Sequence, residues 1–228
     1  MCLAFDLDLR PFDTPFIREI WRARSEDAGS FVSVSSSHWE LVFTMHQDSG
    51  ATVTVRGPET VATPLSYSPG GEWYGIRLRT GTSIPVLPVR DLVDRSINLP
   101  LAGARSFWLH GAAWQIPDFD HLDVFIDRLA RDGLLARDPV VDAVLDGEAI
   151  SLSTRTVQRR FVQTTGLTLG MVRQIDRARR AMELLLQGTS ILDTVHEAGY
   201  YDQAHLTRSL KRWLGQTPAQ IASGAPAR

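Results

Sequence analysis

Residues 153–168 read STRTVQRRFVQTTGLT and residues 202–217 read DQAHLTRSLKRWLGQT, at a constant offset of 49 positions. Residues of the same character recur at that offset: Val157 and Leu206, Arg159 and Arg208, Phe161 and Leu210, Gly166 and Gly215, Thr168 and Thr217. Matches at one constant offset indicate that a single structural unit occurs twice in this part of the chain.

Each stretch carries the signals of a short helix with one basic face. Ser153 and Asp202 are suitable N-caps, and Gly166 and Gly215 stand where each helix should end. Apolar residues four apart predict a buried stripe, and the opposite face is rich in Arg and Gln. Arg and Gln are side chains that read guanine and adenine edges in the major groove. The pattern therefore predicts two recognition helices.

Residues 171–187 (MVRQIDRARRAMELLLQ) predict one long helix between the two units. About 17 residues at 1.5 Å each span roughly 25 Å. With the width of the flanking helices added, the recognition helices are expected about one DNA turn apart, roughly 34 Å. Residues 190–199 (SILDTVHEAG) add a helix and a glycine turn, which completes a helix-turn-helix. Arginines on an outer helix face are most often merely solvated; their repetition is what favours DNA recognition.

This segment of about 80 residues resembles the C-terminal domain of AraC-type transcription regulators, in which a long helix joins two helix-turn-helix units. The matching residues include Ser153, Val157, Phe161, Gly166, Arg177, Gly199, Tyr200, Asp202, Gly215, Thr217 and Pro218. The resemblance implies DNA contacts by Arg155, Gln158 and Arg159 in the first unit and by Gln203, Ala204, His205, Thr207, Arg208 and Lys211 in the second. Ala204 offers only a methyl contact, for instance with thymine.

The first unit departs from the pattern of that family. Its positioning helix normally lies just before Ser153 and ends in a compact turn, whereas here residues 138–145 (DPVVDAVL) are followed by Asp146-Gly147-Glu148 and then Ala149-Ile150. Either the positioning helix is displaced by a few residues or it is shortened.

The charge distribution divides the chain into two halves of opposite sign. Residues 151–228 hold 11 Arg or Lys against 5 Asp or Glu, whereas residues 1–150 hold 13 against 21. A basic C-terminal part predicts a polyanionic partner and salt-sensitive binding. The acidic part is expected to stay off DNA.

Residues 1–85 predict a β-rich domain. Strand-like runs cover residues 16–23, 39–45, 51–56 and 73–78, and turn-prone DSG, RGPE and SPGGE sequences lie among them. Short strands at this spacing favour a barrel or a jelly roll. The segment resembles the cupin-like sensor domains that precede the DNA-binding half in many AraC-type regulators.

Residues 86–137 are interpreted as a helical connector. Leu122, Phe125, Ile126 and Leu129 form one apolar stripe at helical spacing. The stripe is either ordinary core or a surface that pairs with the same helix of a second subunit. Aromatic and aliphatic residues upstream are expected to pack under this helix: Phe107, Trp108, Leu109 and Trp114.

No catalytic set emerges from the sequence. His38, Glu40 and His46 lack the His-x-His pair of cupin metal sites, and residues 33–37 (SVSSS) are interpreted as a loop without an acid–base partner. Cys2 is the only cysteine, which excludes an intrachain disulfide or a Cys-based zinc site. No apolar run of 18 residues or signal-peptide pattern occurs, and a cytoplasmic location is expected.

The sequence thus predicts an α+β chain with four parts: a cupin-like β-barrel sensor domain (1–85), a helical connector or dimerisation region (86–137), a double helix-turn-helix domain (138–222) and a disordered tail (223–228). The expected function is sequence-specific DNA-binding transcription regulation, without a metal or cofactor. Expected partners are double-stranded DNA, a small-molecule effector, RNA polymerase and a second copy of the chain, with no membrane. Two alternatives stay open: a small-molecule-binding cupin-type enzyme with an appended regulatory domain, and a regulator that needs no ligand.

Overall fold

A computed structural model describes residues 6–11, 14–46, 50–87 and 89–224. The residues before 6 and after 224, including Cys2 and most of the expected tail, lie outside this description. The described strands are β1 (Asp6–Pro11), β2 (Ile17–Ser25), β3 (Gly29–Ser33), β4 (Glu40–His46), β5 (Gly50–Arg56), β6 (Thr63–Tyr67), β7 (Gly71–Leu78), β8 (Thr82–Ser83), β9 (Ser96–Asn98), β10 (Leu101–Gly103), β11 (Ser106–Leu109), β12 (Ala112–Gln115) and β13 (Ala136–Arg137). The α-helices are α1 (Leu122–Arg131), α2 (Pro139–Leu145), α3 (Thr154–Thr165), α4 (Leu169–Leu186), α5 (Ile191–Glu197), α6 (Gln203–Leu214) and α7 (Pro218–Ala222), with 3-10 turns at Val89–Leu92 and Phe119–His121.

The main sheet is antiparallel, with strand order β1-β2-β7-β4-β5-β9. The four predicted strands are present as β2, β4, β5 and β7, each within two residues of its expected bounds. Along β4 and β5 apolar residues alternate so that one face is buried, and Phe43 stands opposite both Val53 and Tyr74. Smaller sheets pair β3 with β6, β8 with β13, and β10 through β12.

The α+β class is confirmed, with a sheet-rich part followed by a helical part. The expected β-barrel is not closed in the described ladders, because β1 and β9 are the two edges of the main sheet. Twisted sheets close only when their edge strands pair with each other, and here each edge has one neighbour. The sheet is instead covered by α1 and by the sheet formed by β10, β11 and β12, whose residues share one core with it.

The expectation of a helical connector at residues 86–137 is wrong. This segment holds the five short strands β9–β13 and one α-helix, α1. Its buried residues, from Leu92 to Leu135, belong to the same hydrophobic cluster as Ile17 and Phe43 of the sheet. The helical signal around α1 was correct, but the short strands before it lack the long alternating pattern that reveals a strand.

The apolar stripe of α1 is core. Leu122, Phe125, Ile126 and Leu129 are all at most 6% exposed within the single chain. The ring of Phe125 meets Phe43 and Trp114 edge-on, each at a centroid distance of 5.7 Å. The alternative in which this stripe pairs with a second subunit is therefore wrong, because the stripe is already covered.

Three of the four residues expected beneath α1 are buried there, namely Phe107, Leu109 and Trp114. Trp108 points the other way and is 47% exposed. Successive side chains of a strand face opposite sides, so the single strand β11 cannot bury Phe107, Trp108 and Leu109 together.

The helical domain is organised around α4. Val172, Ile175, Ala178, Ala181 and Leu185 lie along its buried face. Helices α5, α6 and α7 pack against α4, and α3 meets its N-terminal part. The long connecting helix predicted at residues 171–187 is thus confirmed, beginning two residues earlier and ending one residue sooner.

The two domains meet through a network of polar contacts. The backbone N–H of Ser35 donates to the carbonyl of Trp213 at 2.9 Å, and the Arg179 guanidinium donates to the carbonyl of Ser35 at 3.1 Å. Ser37 Oγ donates to Asp176 Oδ1 at 3.4 Å. In addition, α3 contacts β8 and the 3-10 turn at Val89–Leu92.

Next to this interface, His38 is buried in a cationic environment. Its Nε2 lies 2.7 Å from Arg18 Nη1, and its Nδ1 lies 3.0 Å from Thr80 Oγ1. Burial, followed by the charges of Arg18, Arg179 and Arg77, lowers the pKa of His38 well below its ordinary value. His38 is therefore a neutral ring in the folded protein at neutral pH.

We expect Phe125→Ala to destabilise the chain by about 3–5 kcal/mol, because it removes a ring that packs against several others and leaves a cavity. The matched control is Val124→Ala on the same helix, since Val124 is 59% exposed and should change stability by less than about 0.5 kcal/mol. Urea unfolding of both variants measures the difference. Equal losses would contradict the assignment of the stripe to the core.

Stability should decrease as the pH falls below about 6.5, where His38 begins to bind a proton in the unfolded but not in the folded chain. A depressed folded pKa means that the unfolded state binds more protons, so stability rises with pH, by at most about 1.4 kcal/mol per pH unit. The groups that face His38 or its cationic neighbours are Arg18 and Glu19 on β2, Glu40 on β4, Arg77 on β7, and Asp176 and Arg179 on α4.

His38→Gln keeps one acceptor for Arg18 and one donor for Thr80 but does not titrate. Urea unfolding between pH 5.5 and 7.5 should therefore show a shallower pH dependence in the variant. Identical slopes in the two proteins would show that His38 does not carry this effect.

Candidate nucleic-acid interface

The two predicted recognition helices are α3 and α6, each 12 residues long. Ser153 Oγ accepts from the N–H of Thr156 at 3.2 Å, and Asp202 Oδ1 accepts from the N–H of His205 at 2.6 Å. Gly166 and Gly215 end the helices with φ values of 79° and 71°, which is left-handed backbone that glycine adopts without strain. The repeated sequence therefore folds into a repeated structure, and all four predicted caps are confirmed.

The basic faces of both helices are open to solvent. In α3, Arg155, Gln158 and Arg159 are exposed while Phe161 is buried. In α6, the exposed members of the predicted set are Gln203, Ala204, Arg208 and Lys211. These seven residues lie on the two surfaces where the sequence places the DNA contacts.

His205 and Thr207 are only partly accessible. The His205 ring packs edge-on against Tyr200 at a centroid distance of 5.1 Å. Thr207 Oγ1 donates to the carbonyl of Gln203 at 2.8 Å, so its hydroxyl hydrogen is engaged within the helix. Both residues border the basic face of α6 but have part of their bonding capacity committed.

The cations on these faces stand apart from the carboxylates that the structure describes. Across the described residues, no Asp or Glu oxygen lies within 4 Å of the charged groups of Arg155, Arg159, Arg208 or Lys211. Arg160 differs, because its Nε donates to Asp138 Oδ2 at 2.9 Å. Arg160 therefore anchors α3 to α2, while its neighbour Arg159 stays exposed.

The positioning helix of the first unit is displaced rather than shortened. Both α2 and α5 have seven residues, and Asp138 caps α2 by accepting from the N–H of Val140 at 2.9 Å. Eight residues (146–153) separate α2 from α3, whereas five residues (198–202) separate α5 from α6. The longer connection explains why the first unit departs from the family pattern just before Ser153.

The turn of the second unit is held from α4. Gly199 has a φ of 70°, and its carbonyl accepts from Arg177 Nη1 at 3.4 Å. The Arg177 guanidinium also lies 4.9 Å from the centre of the Tyr200 ring, and Tyr200 Oη is 3.0 Å from Ser209 Oγ. Arg177 and Tyr200 therefore position the turn, and Tyr200 further supports α6.

Tyr201 was missed by sequence reasoning. It directly precedes the N-cap Asp202 and is 91% exposed, beside the exposed N-terminus of α6. Of two adjacent tyrosines, Tyr200 is buried and Tyr201 projects outward. The position of Asp202 as an N-cap was the available signal, because the residue before a cap lies outside the helix.

Cavities, metal binding and membrane-spanning helices can also be assessed for the described residues. Two cavities, of about 300 and 270 Å³, are lined largely by charged residues; the first includes Arg22, Arg24 and Arg105 and the second Arg18, Arg79 and Arg137. In the described ranges, no three His, Cys, Asp or Glu side chains are placed to hold a metal ion. None of the helices described combines the length and the apolar character needed to cross a membrane.

Residues 147–223 match a family model described as a helix-turn-helix domain. The transcriptional regulator RipA of Corynebacterium diphtheriae is 36% identical over 73 residues, which cover 32% of this chain and 22% of that protein. The regulatory protein Ada of Salmonella typhimurium is 31% identical over 91 residues, covering 40% of this chain and 26% of that protein. The chain thus matches about a quarter of the length of these relatives.

A structural neighbour extends over nearly the full chain. ToxT from Vibrio cholerae covers 97% of this chain and 98% of its own, with a TM-score of 0.41 and 9% sequence identity.

Proposed function

We propose, on the premise that residues 147–223 form an AraC-type helix-turn-helix domain, that this chain is a sequence-specific DNA-binding regulator of transcription. The observation that carries the proposal is the pair of α3 and α6, equally long and equally capped, whose basic faces have no carboxylate partners among the described residues. An exposed cation with no intramolecular partner can contact a phosphate or a base without first breaking an ion pair.

Each recognition helix would enter one major-groove segment of a duplex. Arg155, Gln158 and Arg159 would read bases in the first segment. Gln203, Thr207 and Arg208 would read bases in the second, with a methyl contact from Ala204 and further contacts from His205 and Lys211. Helix α4 has 18 residues, or about 27 Å at 1.5 Å each, which suits two segments separated by about one turn of DNA.

The charge distribution supports this arrangement. The basic residues of 151–228 outnumber the acidic ones by six, whereas residues 1–150 carry an excess of eight acidic residues. The helical domain would therefore be drawn to the duplex and the sheet domain repelled from it.

The sheet domain would serve in control rather than in catalysis. We propose that it responds to a small-molecule effector or mediates pairing of two copies, and that the chain acts in the cytoplasm with RNA polymerase as a further partner. The covered stripe of α1 cannot supply the pairing surface. The alternative of a cupin-type enzyme is less favoured, since the described His38 is bonded to Arg18 and Thr80 rather than grouped with other metal-binding side chains.

Arg208→Ala should weaken binding to a specific duplex by about 1–3 kcal/mol and relax the base preference at one position. The reason is the loss of a bidentate contact to a base edge from an exposed residue of α6. Selection of duplexes from a random library, followed by footprinting and titration, measures both effects. Arg131→Ala, on the acidic sheet domain, is the matched control and should leave binding unchanged.

An equal loss on specific and random duplexes would show that Arg208 contacts only phosphate. If the wild-type chain selected no sequence at moderate ionic strength, the proposed function itself would be wrong. A footprint that covers one groove segment only would limit the proposal to one of the two units.

A ligand that binds only the folded sheet domain should raise the apparent melting temperature of the chain, in proportion to the logarithm of its concentration above Kd. Thermal unfolding in the presence of a metabolite panel tests this expectation. A reproducible shift would support effector control. A panel without any shift, together with DNA binding that depends only on protein concentration, would favour a regulator that needs no ligand.

A further inference from the structure

The serine segment at residues 33–37 is an interdomain contact rather than a plain loop. Ser35 and Ser37 are 0% and 1% exposed. The backbone of Ser35 is bonded both to Trp213 in α6 and to Arg179 in α4. Close by, a Cβ built on Gly215 would lie 3.1 Å from Ala62 Cβ, so the end of α6 lies directly against the sheet domain. One short segment therefore connects the sheet domain to the connecting helix and to the second recognition helix.

A chain of hydrogen bonds runs through this contact, and its direction is fixed at both ends. A guanidinium only donates, so Arg18 donates to His38 Nε2 at 2.7 Å, and the neutral ring carries its hydrogen on Nδ1, 3.0 Å from Thr80 Oγ1. An ionised carboxylate only accepts, so Ser37 donates to Asp176 at 3.4 Å. Ser37 Oγ must then accept from Thr80 Oγ1 at 3.2 Å. Each group donates to the next, from β2 to α4.

The sheet domain contacts both recognition units and leaves their basic residues exposed. It contacts α3 through β8 and the 3-10 turn at Val89–Leu92, and it contacts α4 and α6 through the serine segment. Arg155, Arg159 and Arg208 remain exposed in this arrangement. The contact between the domains therefore supports the recognition helices without covering them.

We propose that the sheet domain is a brace that holds α3 and α6 in one relative position, fastened by the hydrogen-bond chain Arg18–His38–Thr80–Ser37–Asp176. The proposal rests on the proposed DNA-binding function. Without the brace, α4 alone would determine how far apart the two helices lie and how they are turned. A fixed geometry raises the effective concentration of the second contact once the first has formed. Loosening the brace should therefore weaken binding only where both groove segments take part.

The test compares two buried serines of the same segment. Ser37→Ala removes a hydroxyl that both accepts and donates in the chain, whereas Ser35→Ala removes a buried hydroxyl that has no hydrogen-bond partner among the described residues. Both variants of the full chain are titrated with the duplex selected by the wild type and with the same duplex after one groove segment is scrambled.

Ser37→Ala should bind the intact duplex about 3- to 10-fold more weakly than the wild type, as expected for a lost hydrogen bond. On the scrambled duplex, Ser37→Ala and the wild type should have the same affinity. Ser35→Ala should match the wild type on both. The brace is overturned if Ser37→Ala binds both duplexes like the wild type, loses equally on both, or cannot be told from Ser35→Ala.

Asp176→Ala tests the other end of the chain at an exposed helical position, where alanine favours the helix and folding is not at risk. Glu183→Ala, also exposed on α4, is its control. Asp176→Ala should reproduce the binding behaviour of Ser37→Ala, and Glu183→Ala should not.

Calorimetry measures, without DNA, whether the two domains unfold together. The wild type should unfold in one transition, which separates into two in Ser37→Ala and Asp176→Ala. Two independent transitions in the wild type would reject the brace. Should the wild type select no duplex at all, the proposed function fails, while calorimetry still decides whether the domains are coupled.

Discussion

The arrangement of the helical domain depends on the packing of α4. Its buried face runs the length of the helix, and the residues at its centre are Ala178 and Ala181, both fully buried. Short side chains allow neighbouring helices to approach closely, so that α5, α6 and α7 pack on one helix while α3 is held at its N-terminal part. Both recognition helices contact this one element, and a larger residue at either alanine would push the neighbouring helices away.

The arginines of the helical domain fall into two groups, those that bond within the protein and those that are exposed. Arg177 bonds the turn at Gly199, and Arg160 of α3 bonds Asp138 at the start of α2. Both arginines hold parts of the fold in place. Arg179 reaches across to the sheet domain, and burial lowers its pKa. Arg155, Arg159 and Arg208 make no comparable contact among the described residues. Since guanidinium groups stay charged at any physiological pH, those that fold the protein and those offered to a partner are distinguished only by their position.

The double helix-turn-helix domain was predictable in detail because its signals are local. Caps at Ser153 and Asp202, glycine stops at Gly166 and Gly215 and the period of the apolar residues all lie within a few residues of the helices they define. The strands β2, β4, β5 and β7 were found for the same reason. The short strands β9–β13 were not, since two to four residues carry too little alternation and depend on distant partners.

The interdomain contact also escaped prediction. Arg18 and Asp176 are 158 positions apart, and nothing near either residue indicates that Thr80 and Ser37 bridge them through His38. A run of serines resembles a solvated loop unless its burial is known. The role of the base-reading residues remains a prediction, because exposure places them on a surface without identifying what they bind.

Asp138 performs two tasks in the first unit. One of its carboxylate oxygens accepts from the N–H of Val140 at the start of α2, and the other accepts from the Nε of Arg160 in α3. The second unit divides the comparable tasks among Ser190, Arg177 and Tyr200. Alanine at Asp138 would thus remove the N-cap of α2 and the acceptor for Arg160 of α3 in the same step. One substitution at Asp138 therefore acts on both helices of the first unit, whereas the described contacts of Ser190, Arg177 and Tyr200 spread that risk over three positions in the second.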